Sequence, residues 1–416
     1  MTLGLFLAAL TSLAALTSPL ELSRRAALIG ATSSACVLSP NAATAASGSA
    51  TAAAAASTAA LRATWTATAG YSDDAFISFD DGAYAAMRDD EKRTPYFEKA
   101  IRERLKLLGP DAIVVDLGTG PFAVLALIAA RSGAKQVFAI EAVPQAAKRA
   151  REAIRAANDI PPGVIEVIEG FSTSVSLPEK ADLCVAEIVG SIASEEGLHA
   201  TMRDAQARLL KRPNDEEPYI PVRCQTVAAP AAYALHYALG PPRYDWGKIA
   251  REPVRLNCRD ETLQLLAEPQ LLEDVGFADP KLARPGAWAP SPTGTPLHFT
   301  ISADRLASAE RVYREELTRE GAKGDEVERL ALGASHALSG VALWPRLVLD
   351  PAGSIVCESR GPHGEPQKSH WQTVLPLLHA RPVAVEAGQV VTLDATVQLG
   401  SAVEVPPVYE LTARLA

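Results

Sequence analysis

The chain of 416 residues has little of several things, and each scarcity removes a class of answer. Its five cysteines, Cys36, Cys184, Cys224, Cys258 and Cys357, show no CxxC spacing, so neither a disulfide framework nor a zinc or other metal site is expected. Basic residues are outnumbered, 40 Lys and Arg against 49 Asp and Glu, which leaves a net charge of −9. Nucleic-acid binding wants a basic face and is not expected. A basic polypeptide partner is compatible with this balance. The most apolar run, Leu3 to Ala15, is too short for a convincing membrane span and fits a signal-peptide core, so no stable span is expected in the mature chain.

Acidic residues are missing altogether from Leu22 to Ser72, where Ala, Ser and Thr dominate as in an organelle transit segment. Arg24-Arg25 stands ahead of Ala26-Ala27-Leu28-Ile29-Gly30, and Ala42 to Ala46 offers small residues for cleavage. Twin arginines before a modest apolar run read as a bipartite plastid signal leading to the thylakoid lumen. An Ala-rich leader without an address, on a cytoplasmic protein, is the other reading. Residues 1–70 are set apart as this targeting or low-complexity segment, with ordered structure expected from near Tyr71. The remainder is long enough for two domains with full cores.

Ile113-Val114-Val115-Asp116 is a buried-strand run, Leu117 to Pro121 a tight turn, Val124 to Ala130 a helix-forming stretch. Gln136 to Ile140 reads as the next strand, closing on Glu141. Glycines such as Gly118 and Gly120 let the backbone approach a ligand, and an acid such as Glu141 hydrogen-bonds ribose hydroxyls. Ala123 occupies the third glycine position of the dinucleotide pattern, which moves the expected ligand from NAD toward S-adenosylmethionine. A further strand, Val164 to Ile168, ends in Glu169-Gly170-Phe171, a turn expected beside the adenine. Glu169 there is either an adenine contact or a satisfied surface acid.

Ala181 to Val185 is another strand, and it leads into Ala186-Glu187-Ile188-Val189-Gly190, with Glu195 and Glu196 following. An acid at the C-terminal end of a strand in an open α/β sheet lies where ligands bind. Two carboxylates can hold a flat guanidinium through paired hydrogen bonds. Alternatively, Glu195 and Glu196 begin a solvated helix and complement its dipole.

Taken in order, these segments resemble the protein arginine methyltransferase family from about Tyr84 to the C-terminus. MRDDEKRTPYFEKAI from Met87 is similar to the helices that close over the cofactor, DLGTG from Asp116 to the first cofactor motif, and IEA from Ile140 to the ribose-binding motif. AEIVGSIASEE from Ala186 resembles the double-glutamate loop, and SHWQTVLPL from Ser369 the histidine-tryptophan loop. The resemblance implies S-adenosylmethionine as cofactor, with Arg93 on its methionine carboxylate and Asp116, Gly118, Gly120, Glu141, Glu169 and Phe171 around it. It implies Glu187 and Glu196 as the catalytic pair, His370 beside them, and Met87 and Trp371 at the substrate arginine. For Arg93 a surface salt bridge, and for Trp371 a place in the barrel core, are the plainer readings. Pro121 and Phe122 depart from the family's Thr-Gly, Ala186 from its serine, and Ser369 from its threonine. Phe76 and Phe79 are either remnants of an aromatic N-terminal helix or packing residues.

The implied fold is α/β: a doubly wound, seven-stranded-type methyltransferase domain over 71–212, then a β-barrel-like domain over 213–416. Short strands such as Val341-Trp344, Arg346-Leu349, Gln372-Leu375 and Val390-Leu393 fit the second half. A charged helical stretch near 303–332 reads as an insertion on the barrel surface. Homodimerisation is implied by resemblance, although Pro241-Pro242 interrupts the candidate arm from Tyr233 to Trp246. The expected activity is methyl transfer to arginine in a protein or peptide. A methyltransferase acting on a small molecule or another side chain, and a non-catalytic member, are the alternatives.

Overall fold

The computed structural model describes residues 61–67, 79–239, 244–248, 252–283, 286–288, 290–399 and 405–416. Leu3 to Ala15, Arg24-Arg25, Ala42 to Ala46 and Phe76 lie outside the described residues. Order does not wait for Tyr71, and the 1–70 boundary is corrected here. Leu61–Thr66 is a strand, β1, whose Leu61, Ala63 and Trp65 are buried while Arg62, Thr64 and Thr66 are exposed. That strict alternation is a strand signal, hidden in the sequence by the Ala- and Thr-rich run around it.

The first domain is built from α1 (Asp81–Arg88), α2 (Thr94–Leu108), β2 (Ile113–Leu117), α3 (Val124–Arg131), β3 (Gln136–Glu141), α4 (Pro144–Ala156), β4 (Ile165–Glu169), β5 (Leu183–Ala186), α5 (Leu198–Arg208) and β6 (Tyr219–Ile220). The Asp80 side chain caps α1 by accepting from the Ala83 N–H. Helix α2 buries Phe97, Ala100, Ile101 and Leu105 along one face and stops at Gly109, whose φ is 85°. Five strands lie in the order β4-β3-β2-β5-β6, all parallel. Strands β2 and β5 are buried along their whole length, as near-continuous apolar runs covered on both faces should be. The strand order reverses between β2 and β5, so the loops leaving their C-terminal ends part to form a crevice.

From β6 the chain crosses into β7 (Arg223–Tyr233), α6 (Ala234–Ala238), β8 (Val254–Asn257), β9 (Leu263–Leu265), β10 (Gln270–Gly276), β11 (Ala287–Trp288) and β12 (Leu297–Thr300). Helices α7 (Ala303–Arg319) and α8 (Asp325–Ser335) follow, then β13 (Ala337–Val348), β14 (Val356–Glu358), β15 (Gln372–Leu375), β16 (Val383–Ala384), β17 (Val390–Gln398) and β18 (Val408–Leu415). One antiparallel sheet is built on β10-β7-β13-β15-β8, the other on β1-β18-β17-β11. Trp65, Leu272, Phe299, Leu343, Val374 and Tyr409 belong to the core they share.

The strands expected at Val341-Trp344 and Arg346-Leu349 are one strand, β13, running through Pro345. The α7–α8 hairpin does more than decorate the surface: Leu306, Ala309 and Tyr313 enter the core, and the Tyr313 hydroxyl donates to the Ala232 and Thr262 carbonyls at 3.1 Å. Of the candidate arm, Ala234–Ala238 is a five-residue helix with Leu235 and His236 buried, and residues 240–243 are not described. Among the described residues, no helix is long and apolar enough to cross a membrane, and no group of three His, Cys, Asp or Glu is placed to hold a metal.

Candidate active site

A cavity of about 160 Å³ opens at the crevice, lined by the loops after β2, β3 and β5 and by α1. In the first loop Gly118 and Gly120 have φ of 72° and 66°, the left-handed region where a side chain is strained. A Cβ on Gly118 would also stand 2.8 Å from Ile188. At the end of β3 the Glu141 carboxylate is pinned by two backbone donors, Gly120 N–H at 2.9 Å and Val143 N–H at 2.8 Å. Burial raises its pKa despite these bonds. Asp116 is 1% exposed and does not line the cavity. It accepts from the Thr119 hydroxyl at 2.6 Å and so shapes the glycine turn, while burial pushes its carboxyl up to about 6. Phe171 lines the cavity, but Glu169 does not: it is exposed and meets Arg151 at 3.2 Å, the surface-acid alternative.

Glu187 and Glu196 both line the cavity. The Glu187 side chain is 4% exposed and is held by Arg93, through Nε at 2.6 Å and Nη2 at 2.5 Å. Arg93 therefore points inward, and Nη1 also reaches the Met87 carbonyl at 3.3 Å. Met87 is a lining residue too. Glu196 has φ of 61°, rare for a side-chain-bearing residue and of the kind that accumulates at functional sites. Its carboxylate makes no hydrogen bond among the described residues. Burial, then the charges of Glu187 and Glu195, push its pKa well up. Helix α5 begins only at Leu198 behind Gly197, so the two acids do not open a solvated helix.

His370 is placed against an acid, though not against either glutamate. Asp90 Oδ2 accepts from the His370 N–H at 2.8 Å and lies 2.7 Å from its Nδ1, and Asp90 Oδ1 accepts from Lys92 N–H at 2.7 Å. Burial alone would raise the Asp90 carboxyl, but the His370 bonds and charge hold it down at about 2. Trp371 is 3% exposed, and its indole N–H donates to the Val189 carbonyl at 3.0 Å. It braces the double-glutamate loop from behind the barrel rim, and neither it nor His370 lines the cavity.

Three contributors were not assigned from the sequence. Tyr84 of α1 lines the cavity beside Glu141 and Glu196, its hydroxyl pushed up to about 12 by burial and then by Glu141. Phe79 meets Tyr84 edge-on at 5.7 Å and lines the same space. Phe122, one of the departures in the glycine turn, has the Arg88 guanidinium 4.7 Å from its ring centre and that of Arg149 at 5.5 Å. Asp90 had a visible signal, since it stands three residues before Arg93 in the same motif.

The family model for ribosomal protein L11 methyltransferase (PrmA) matches residues 100–200. Protein arginine N-methyltransferase PRMT10 of Oryza sativa subsp. japonica is 39% identical over 99 residues, 24% of this chain and 25% of that protein. Probable histone-arginine methyltransferase 1.4 of Arabidopsis thaliana is 37% identical over 125 residues, 30% of this chain and 23% of that one. The chain thus spans about a quarter of the length of the curated relatives it matches. In fold it is similar to the Trypanosoma brucei PRMT1 enzyme–prozyme heterotetrameric complex with AdoHcy (TM-score 0.55, 16% identity, 76% of this chain and 88% of that one). It is also similar to Arabidopsis thaliana protein arginine methyltransferase 10, solved in a uniquely open conformation (TM-score 0.53, 17% identity, 80% and 97%). With the glycine turn, the two-glutamate loop and the barrel in one chain, the protein is similar to protein arginine methyltransferases in sequence over about a quarter to a third of its length, and it shares their fold.

Proposed function

We propose that the protein transfers a methyl group from S-adenosylmethionine to a guanidino nitrogen of arginine in a protein substrate. The observation that carries this reading is the convergence of Glu187 and Glu196 on one cavity with Gly118, Gly120 and Glu141. The residues present fit the cofactor. Two glycines leave the backbone open, Glu141 keeps acceptor capacity beyond its two backbone donors, and Phe171 and Ile140 offer apolar walls for a flat ring. Glu141 would hold the ribose hydroxyls and Arg93 the methionine carboxylate. When bound, S-adenosylmethionine supplies an electrophilic methyl group, so that one N–C bond forms, one S–C bond breaks and one guanidinium proton is released.

The chain's own residues address the nucleophile. A guanidinium is protonated, with a pKa above about 12, and its charge is delocalised, so it attacks poorly unless aimed. Glu196, with no hydrogen-bond or ion-pair partner among the described residues, takes N–H groups of the guanidinium. Glu187 takes others, and the positive charge is drawn away from the attacking nitrogen. Placement of that nitrogen within about 3–3.5 Å of its target supplies the remaining advantage. The Asp90–His370 couple accepts the released proton on its way out, with Asp90 fixing the ring through Nδ1.

The test uses the full chain with labelled S-adenosylmethionine and a Gly-Arg-rich peptide, followed by amino-acid analysis. Methylarginine from the native protein is expected, with Glu196→Gln or Glu187→Gln losing about 2–5 kcal/mol of transition-state stabilisation. Label in small molecules alone would replace the reading by a metabolite methyltransferase, and cofactor binding without any transfer by a non-catalytic member. The leader extends the proposal to a plastid address, which loses its basis if residues 1–60 fail to carry a fluorescent protein into plastids. A homodimer is part of the same reading, and a monomeric mass by light scattering would remove it.

A further inference from the structure

The loop between Glu187 and Glu196 holds a third carboxylate. Glu195 has no exposure, its Oε2 accepts the Ser191 N–H at 2.8 Å, and its Oε1 is ion-paired with Nη2 of Arg255 on β8. Gly190 leaves the room this needs, because a Cβ there would stand 2.5 Å from the Cβ of Glu195. Glu195 thereby closes residues 191–195 into a ring, and Arg255 ties the ring to the barrel. The charges then pair off unevenly. Glu187 is matched by Arg93 and Glu195 by Arg255, while Glu196 makes no ion pair among the described residues and feels Arg255 and Arg93 only at longer range. The groups facing Glu196 are Glu187 after β5, Glu195 in the same loop, Arg255 from β8, Arg93 between α1 and α2, and Tyr84 of α1.

We propose that Arg255 is a positioning residue that acts through Glu195: it neutralises this buried carboxylate, so that the loop presents Glu196 as the one unmatched negative charge to the substrate guanidinium. The proposal rests on the arginine-methylating reading above. Without the Arg255 charge, Glu195 would be a buried anion directly beside Glu196. Two like charges side by side in a dry loop favour protonation of one of them, and a protonated Glu196 is a poorer partner for a cation. Arg255 need not touch the substrate for this.

The experiment measures kcat/KM for methylation of a Gly-Arg-rich peptide by the full chain from pH 6 to 9, where the acid limb reports ionisation of the groups that must be charged. Arg255→Met is expected to move that limb up by about one pH unit and to lower kcat/KM at pH 7 by about tenfold. Glu195→Gln with Arg255→Met is expected to restore the limb and bring kcat/KM within about threefold of the native protein, because the charge that needed matching has gone. Glu195→Gln alone removes a neighbouring negative charge and should move the limb to lower pH. A purely architectural role for Arg255 would shift neither limb and would leave the double variant no better than the single one. Should Arg255→Met fail to fold, Arg255→Lys, which keeps the charge and should keep the limb, and Glu195→Gln carry the same comparison. An active native protein whose limb stays fixed in these variants overturns the role of Arg255 alone. A native protein that forms no methylarginine overturns the activity on which it rests.

Discussion

Truncating Trp65 tests whether the N-terminal strand β1 is part of the barrel. The Trp65 side chain is 3% exposed and stacks on Tyr409 with ring centres 4.8 Å apart and planes 10° from parallel. Trp→Ala in a core costs about 3–5 kcal/mol, with stacked aromatic pairs adding about 0.5–1.5 kcal/mol beyond their area. Its indole N–H has no hydrogen-bond partner among the described residues, so truncation forfeits packing and no hydrogen bond. Removing that unmet donor offsets about 1–3 kcal/mol of the loss, which places Trp65→Ala at about 3–4 kcal/mol. The same bare N–H predicts that Trp65→Phe is nearly neutral, since the loss of volume is offset by removing a buried donor that costs about 1–3 kcal/mol when unmet. Urea unfolding of the two variants, followed by intrinsic fluorescence and circular dichroism, gives both numbers. A Trp65→Ala protein within about 0.5 kcal/mol of the parent, the range of an ordinary surface change, would show that β1 does not pair with β18 in solution.

Asp116 makes stability depend on pH. Its folded carboxyl is raised to about 6, against about 3.9 in an unfolded chain, so the native state holds the proton more tightly. This contribution is complete below pH ~4 and is lost as pH rises through 6, about 3 kcal/mol in all. Asp116→Asn should flatten the urea-stability profile between pH 4 and 6, and an unchanged slope would discard the argument. Asp90→Ala strips acceptors from the His370 N–H and Nδ1 and from Lys92 N–H, and should cost about 3 kcal/mol and depress kcat more than KM. Equal losses in both kinetic constants would contradict that assignment. Phe122→Leu removes two cation–π contacts worth about 0.5–1 kcal/mol each, about 1–2 kcal/mol together, so S-adenosylhomocysteine affinity by calorimetry should fall about five- to thirtyfold. Unaltered affinity would show that these contacts do not hold α1 at the cavity.

The parts that could be read from sequence were those whose signal is local. Asp116 to Glu141 and Ala181 to Glu187 are strand–turn units in which a buried apolar run ends at a glycine or an acid, and both form as expected. Glu187 and Glu196 meet on one cavity because they sit at the two ends of a single loop. The parts that could not be read depend on separation in the chain or on misleading composition. The partners Asp90 and His370 each stand in a legible motif, but these are 280 residues apart and nothing in the sequence pairs them. Trp371 reads as a wall of the substrate channel, yet its neighbour is a backbone carbonyl 182 residues away. β1 went unseen because six alternating residues were embedded in an Ala- and Thr-rich run whose overall composition pointed to a leader.

That strand has a consequence for how the molecule can move. The described residues contribute a barrel strand at Leu61–Thr66, then form the parallel-sheet domain, and return at Arg223 to complete the barrel. In topology the cofactor-type domain is therefore an insert with two covalent crossings to its host. A domain on one linker can swivel, whereas one on two crossings is confined to rocking about the line that joins them. Any relative motion of the two domains should therefore take the form of a hinge with a fixed axis, and unfolding of the barrel should release both ends of the sheet domain at once.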